Sequence, residues 1–170
     1  QFRIERGGGS KPFKLVCSGD LGQPGRPVLP DPTPIAEADA LIVESTYGNR
    51  LHKTLAETYD EFSAVLSRVL PRGNVVIPAF AVGRTQEVLH VLADLAKQER
   101  VPSLNVFVDS PLATAATAIT MKYAHTLDRE SRDLAAWQSH HPDRMRVRFT
   151  ESPDDSKAIN AIRSGAVIIA

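Results

Sequence analysis

Two carboxylates stand at the ends of short apolar runs: Asp20 after Leu15-Val16-Cys17-Ser18-Gly19, and Glu44, 24 residues further on, after Leu41-Ile42-Val43. A turn containing glycine follows each acid, Leu21-Gly22 in the first case and Ser45-Thr46-Tyr47-Gly48 in the second. A strand that ends in an acid and then a glycine-bearing turn is how an α/β protein delivers a carboxylate to the rim of a sheet. Two carboxylates delivered this way suggest a site and can form an acid pair. The same residues also suit helix caps or Asx turns. Spacing alone leaves both readings open.

Other residues with chemical potential are weaker. Gly83-Arg84-Thr85 stands where a strand hands over to a helix, so unpaired backbone N–H groups and a fixed positive charge coincide, either as a phosphate seat or as a helix start with a solvated arginine. Asp109 and Ser110 hold the same position after the next strand and read as N-caps; without a Gly-x-Ser-x-Gly elbow or a paired histidine, Ser110 is no nucleophile. The five histidines, His52, His90, His125, His140 and His141, lack the spacing of a helical metal site, and His140-His141 before Pro142 reads as a solvated loop pair. Cys17 reads as a small buried apolar residue. Arg144-Met145-Arg146-Val147-Arg148 would place three arginines on one side of an extended strand, as an RNA-backbone strip or as a charged edge that resists aggregation.

The elements that must position these residues follow from periodicity. Phe2–Arg6 and Phe13–Cys17 read as strands of a hairpin around Gly7-Gly8-Gly9-Ser10-Lys11-Pro12, a loop that also resembles an engineered linker and lacks P-loop spacing. Five prolines between residues 22 and 36 make that stretch a connection. A strand is expected at 39–44 and a helix at 54–70, with Leu55, Tyr59, Phe62, Val65, Leu66 and Val69 on one side and a capping box from Thr54 and Glu57. Then come a strand at 74–78, a helix at 83–99, a strand at 104–108 and a helix at 111–122 with proline at its start. Further helices are expected at 128–139 and 153–164, and strands at 146–150 and 166–170. Strands alternating with helices imply parallel βαβ crossovers, so the fold class is α/β, a Rossmann-like parallel sheet with flanking helices plus a small β-rich piece. No Gly-x-Gly-x-x-Gly opens a helix, which argues against a nicotinamide or flavin site.

Composition excludes little. Among 170 residues, 42% are hydrophobic and 24% charged, as in ordinary globular proteins, and 20 basic side chains balance 20 acidic ones, so any nucleic-acid contact must come from a local patch. One cysteine, with neither a signal peptide nor an apolar run of membrane length, leads to the expectation of a cytoplasmic protein without membrane contact. The chain opens on a strand pattern and closes on one, which reads as a piece of a larger protein.

Ser18-Gly19-Asp20-Leu21-Gly22 and Glu44-Ser45-Thr46-Tyr47-Gly48, in this order, resemble the β-CASP branch of the metallo-β-lactamase superfamily, zinc-dependent nucleases that act mostly on RNA. Pro78-Ala79-Phe80-Ala81-Val82-Gly83-Arg84-Thr85-Gln86-Glu87 and Val108-Asp109-Ser110-Pro111-Leu112-Ala113 are similar to later turns of the same family, so the resemblance covers nearly the whole chain. It implies that residues 1–49 are part of a metallo-β-lactamase domain and residues 50–170 most of a β-CASP domain. It further implies an RNA-processing nuclease in which Asp20 bridges two zinc ions about 3.5 to 4 Å apart. Glu44 would orient a catalytic histidine, and Arg84 would help seat an RNA phosphate.

The family's His-x-His-x-Asp-His cluster and further histidines have no counterpart here, so the resemblance implies an inactive, metal-free fragment. It also implies single-stranded RNA as partner and leaves a homodimer of the intact protein open. A non-catalytic RNA-binding or scaffolding paralogue is the alternative, and a small-ligand α/β domain a weaker one.

Overall fold

The computed structural model describes residues 2–4, 13–25, 28, 31–127 and 129–170. Gly7–Pro12, Pro27, Pro30 and Asp128, which figure in the expectations above, lie outside the described residues, as do Glu5 and Arg6. The chain divides into two compact units, one made of the residues up to Lys53 apart from 27–29, and the other dominated by Thr54–Ala170.

The first unit is a three-stranded sheet in the order β1 (Phe2–Ile4), β2 (Phe13–Cys17), β3 (Ala40–Ile42). β1 runs antiparallel to β2. β3 runs parallel to β2, with Leu15 opposite Ala40 and Cys17 opposite Ile42. Parallel neighbours need a long connection. Here the proline-bearing stretch supplies it, and its described residues form neither helix nor strand. The run 41–43 is apolar yet exposed, because among the described residues this unit has no helix to lay over the sheet. Cys17 is half-buried rather than buried.

The second unit alternates helix and strand: α1 (Leu55–Val69), β4 (Val75–Ile77), α2 (Arg84–Lys97), β5 (Leu104–Val108), α3 (Pro111–Lys122), α4 (Arg129–His140), β6 (Met145–Phe149), α5 (Pro153–Ile159) and β7 (Ala166–Ile169). The four strands form one parallel sheet in the order β4-β7-β5-β6, the α/β arrangement that the pattern implies. α1 begins as expected. The Thr54 hydroxyl accepts the Glu57 N–H, and the Glu57 carboxylate accepts the Thr54 N–H at 2.9 Å, a reciprocal cap that contributes about 1 kcal/mol. α3 starts on Ser110, which caps the Ala113 N–H, with Pro111 at the first helical position.

The alternation of side chains across each strand makes two cores. Leu104, Val106 and Val108 of β5, with Val167 and Ile169 of β7 and Met145 of β6, meet Leu66 of α1, Leu92, Leu95 and Ala96 of α2 and Leu134 of α4. Removing one such leucine side chain from water contributes about 1.5–3 kcal/mol. The opposite faces of the same strands, Phe107, Ala166 and Ile168, pack with Ile159 of α5 and with Ile162.

Several expectations need correction. Leu55 is exposed at the first turn of α1. The last helix stops at Ile159 instead of 164, because Asn160, Ala161 and Ile162 switch to i→i−3 hydrogen bonds with Lys157, Ala158 and Ile159. His140 is the last residue of α4 and His141 stacks on Trp137 at 4.7 Å, so the pair closes a helix and does not sit in a solvated loop. Only Arg146 and Arg148 belong to β6. Arg144 precedes the strand and donates to the Ala96 carbonyl at the end of α2, so the strip has two arginines, one of them over the Phe107 ring.

Candidate active site

Because β2 and β3 are parallel neighbours in register, the turns that leave their C-terminal ends lie side by side at one rim of the sheet. The Ser18 N–H donates to the Ile42 carbonyl at 2.9 Å, which extends the pairing by one step. Gly19 then turns the chain at φ +57°, a left-handed conformation that glycine adopts without strain, and Asp20 follows, exposed. On the neighbouring strand the chain runs on through Val43 to Glu44.

Hydrogen bonds join the two turns. The Leu21 N–H donates to Glu44 Oε1 at 2.8 Å, the Thr46 hydroxyl donates to Glu44 Oε2 at 3.0 Å, and the Glu44 N–H donates to the Ser18 hydroxyl at 3.0 Å. The Ser18 hydroxyl in turn donates to the Gly19 carbonyl at 2.6 Å. The Leu21 N–H belongs to the peptide group that leaves Asp20, so Glu44 holds the backbone directly after the other acid. That N–H first, and the Thr46 hydroxyl second, keep the Glu44 carboxyl below its ordinary pKa of 4.5, so it is ionised at neutral pH. Asp20 and Glu44 are therefore brought to one place in the fold. Their roles in it differ: Asp20 projects from the turn that Glu44 fastens.

As a metal centre the described residues are incomplete. Asp20 offers one carboxylate, and among the described residues no group of three or more His, Cys, Asp or Glu side chains could hold a metal ion. A catalytic zinc normally takes about three protein ligands, so these residues do not fit a self-contained zinc site.

Arg84 sits in the second unit at the first position of α2. The expected unpaired N–H groups are not found there. The Arg84 N–H closes a three-residue turn on the Val82 carbonyl around Gly83 (φ +81°), and the Thr85 N–H and hydroxyl both donate to the Phe80 carbonyl. The Arg84 guanidinium pairs with Glu87 at 2.6 Å and its side chain is 55% exposed. The turn is held from beneath by buried Gln86. Its Oε1 accepts the Gly83 N–H at 2.7 Å, and its Nε2 donates to the Ala81 carbonyl and to the Thr117 hydroxyl of α3.

Of the two expected caps only Ser110 is the N-cap of α3, and Asp109 has another role. It accepts from Thr150 at 3.0 Å and from Ser156 at 2.9 Å, tying the end of β5 to the end of β6 and to α5. Ser18, Thr46 and Gln86 are the positioning residues that sequence reading passed over. The available signal was a hydroxyl two positions before Asp20 and another two positions after Glu44.

Residues 85–170, just over half of the chain, match the Beta-Casp domain family. Ribonuclease TTHA0252 of Thermus thermophilus is 36% identical over 160 residues, which cover 92% of this chain and 36% of that protein. An RNase J-like protein of Methanocaldococcus jannaschii is 33% identical over 71% of this chain and 30% of its own length. Cleavage and polyadenylation specificity factor 73 of Drosophila melanogaster is 31% identical over 79% of this chain and 20% of its own. The chain thus spans about a third or less of each of these relatives. Paired acids on adjacent parallel strands, a parallel α/β unit and the family match agree: the chain belongs to the β-CASP family of the metallo-β-lactamase superfamily.

Proposed function

We propose that the protein to which these residues belong is a metal-dependent ribonuclease that hydrolyses RNA phosphodiesters. The observation that carries this reading is the fastening of Asp20 and Glu44 at one rim of a parallel strand pair, in a chain similar over 92% of its length to a ribonuclease. In this reading Asp20 is the carboxylate that the chain contributes to a metal centre, and zinc is the metal that the family resemblance implies. Glu44, ionised and held from two sides, is suited to accept an imidazole N–H and fix that ring's orientation.

Arg84 supplies positive charge to an RNA phosphate. Its partner Glu87 lies three residues along the same helix, so the guanidinium is presented from a rigid base. Residues 1–49 would be a portion of the metallo-β-lactamase domain, residues 50–170 most of a β-CASP domain, and single-stranded RNA the substrate. This chain by itself would be inactive, since the donor set is incomplete.

The decisive experiment is Asp20→Ala in the whole protein. Cleavage of a labelled RNA should be lost while the melting transition is kept, because Asp20 is exposed and no core contact depends on it. Retained turnover would overturn the assignment of Asp20 to the metal centre.

A further inference from the structure

We infer that Thr46 is a positioning residue for the reaction proposed above, holding the Glu44 carboxylate in one plane against the turn that carries Asp20. The inference deepens the nuclease reading and rests on it. A glutamate carboxylate turns about its last torsion with a broad, roughly two-fold preference. The Leu21 N–H on Oε1 at 2.8 Å fixes where one oxygen lies but leaves rotation about that contact. The Thr46 hydroxyl on Oε2 at 3.0 Å removes that freedom. Leu21 lies 23 residues from Glu44 and Thr46 only two, so the carboxylate is anchored once across the sheet rim and once within its own turn.

The two donors leave acceptor capacity free, since a carboxylate offers about four lone-pair positions. A further N–H donor can therefore approach a carboxylate whose plane is already set. Ser18 serves the same end from the other side. Its hydroxyl accepts the Glu44 N–H and donates to the Gly19 carbonyl, so the backbone of Glu44 is tied to the turn that its side chain holds. All of these atoms are at the surface or close to it, where a single hydrogen bond to a mobile side chain contributes little. Convergence of several on one carboxylate is what makes the arrangement specific.

The test compares Thr46→Val with Thr46→Ser. Valine keeps the shape of threonine and removes the donor, and Thr46 is exposed, so neither variant should shift the melting transition. In the whole protein Thr46→Val should lower kcat for RNA cleavage by about ten- to a hundredfold with KM within about twofold, as expected when an outer partner of a catalytic group is removed, and Thr46→Ser should restore it. An unchanged kcat in Thr46→Val overturns the inference.

A second measurement on the whole protein needs no activity. Amide hydrogen exchange at Leu21 should quicken several-fold in Thr46→Val and return to the wild-type rate in Thr46→Ser. Leu21 exchange that ignores Thr46 overturns the inference whether or not the whole protein cleaves RNA. A wild-type protein that fails to cleave RNA while Leu21 still responds overturns the nuclease reading, and with it the reaction role of Thr46, leaving only a loop fastening.

Discussion

Two turns at strand ends are held by single side chains of nearly equal length, and the chemistry of the holding group differs. In the first unit the ionised, exposed Glu44 holds the turn after β2. In the second the neutral, 8% exposed Gln86 holds the turn after β4. Gln86 commits its oxygen to Gly83 and its nitrogen to Ala81 and Thr117, inside packed structure where an unpaired polar group is costly. Glu44 sits where water competes for every bond, so its contribution to folding is small and its spare lone pairs remain usable. A buried amide builds a turn, whereas an exposed carboxylate keeps a turn ready for something else.

The comparison can be broken most severely with Gln86→Leu. It strands the Gly83 N–H, the Ala81 carbonyl and the Thr117 hydroxyl, and should destabilise the second unit by about 2–4 kcal/mol in urea unfolding. Glu44→Gln should leave the urea midpoint in place while reducing cleavage by the whole protein. If the two variants exchanged these effects, the division of labour between the turns would be wrong.

A smaller effect is expected from Gly83→Ala. Beyond the adjoining residues no heavy atom lies within 4 Å of where the new methyl would stand, so the cost is that of φ +81°, about 1–2 kcal/mol by the same measurement. The arginine beside it should then lose its fixed geometry.

The subtlest test uses pH, and the two units should respond at opposite ends of the scale. The Glu44 pKa is lowered by folding, so its contribution is complete above 4.5 and is lost as pH falls through the depressed value. Leu21 amide shifts should move in acid while those of Gly83 stay put. Tyr59, half-buried on α1, is pushed from 10.0 up to about 12, first by burial and then by the nearby Asp94, Glu130 and Glu87. Its contribution is present below pH 10 and is lost as pH rises towards 12, so the share of tyrosinate absorbance that Tyr59→Phe removes should appear late and together with unfolding of the second unit.

What could be read from the sequence was local. The Thr54–Glu57 cap, Pro111 at the head of α3 and the apolar run of β5 depend on neighbours within a few residues, and the structure has them where the pattern put them. The acids at 20 and 44 were legible as strand-end residues, and the motifs around them carried the family. The bonds that make a site of them were not. Glu44 meets Leu21 across 23 residues, Gln86 meets Thr117 across 31 and Thr150 meets Asp109 across 41, distances closed only once strand order and register are set. The pairing of the backbone donors beside Arg84 was hidden for the same kind of reason. A glycine at positive φ folded the turn back on itself and used the N–H groups that a simple helix start would have left open.

The order β4-β7-β5-β6 also has a meaning in time. β7, the latest of the described strands to leave the ribosome, is inserted between β4 and β5, and β4 is paired with no other strand of its sheet. During synthesis β5 and β6 can join as soon as both have emerged, while β4 must wait some ninety residues for its neighbour, a long loop whose closure is slow. Until Ala166–Ile169 arrives, the turn held by Gln86 is attached to a strand with no sheet to belong to, so β4 and its turn join the β5-β6 pair in a single late step.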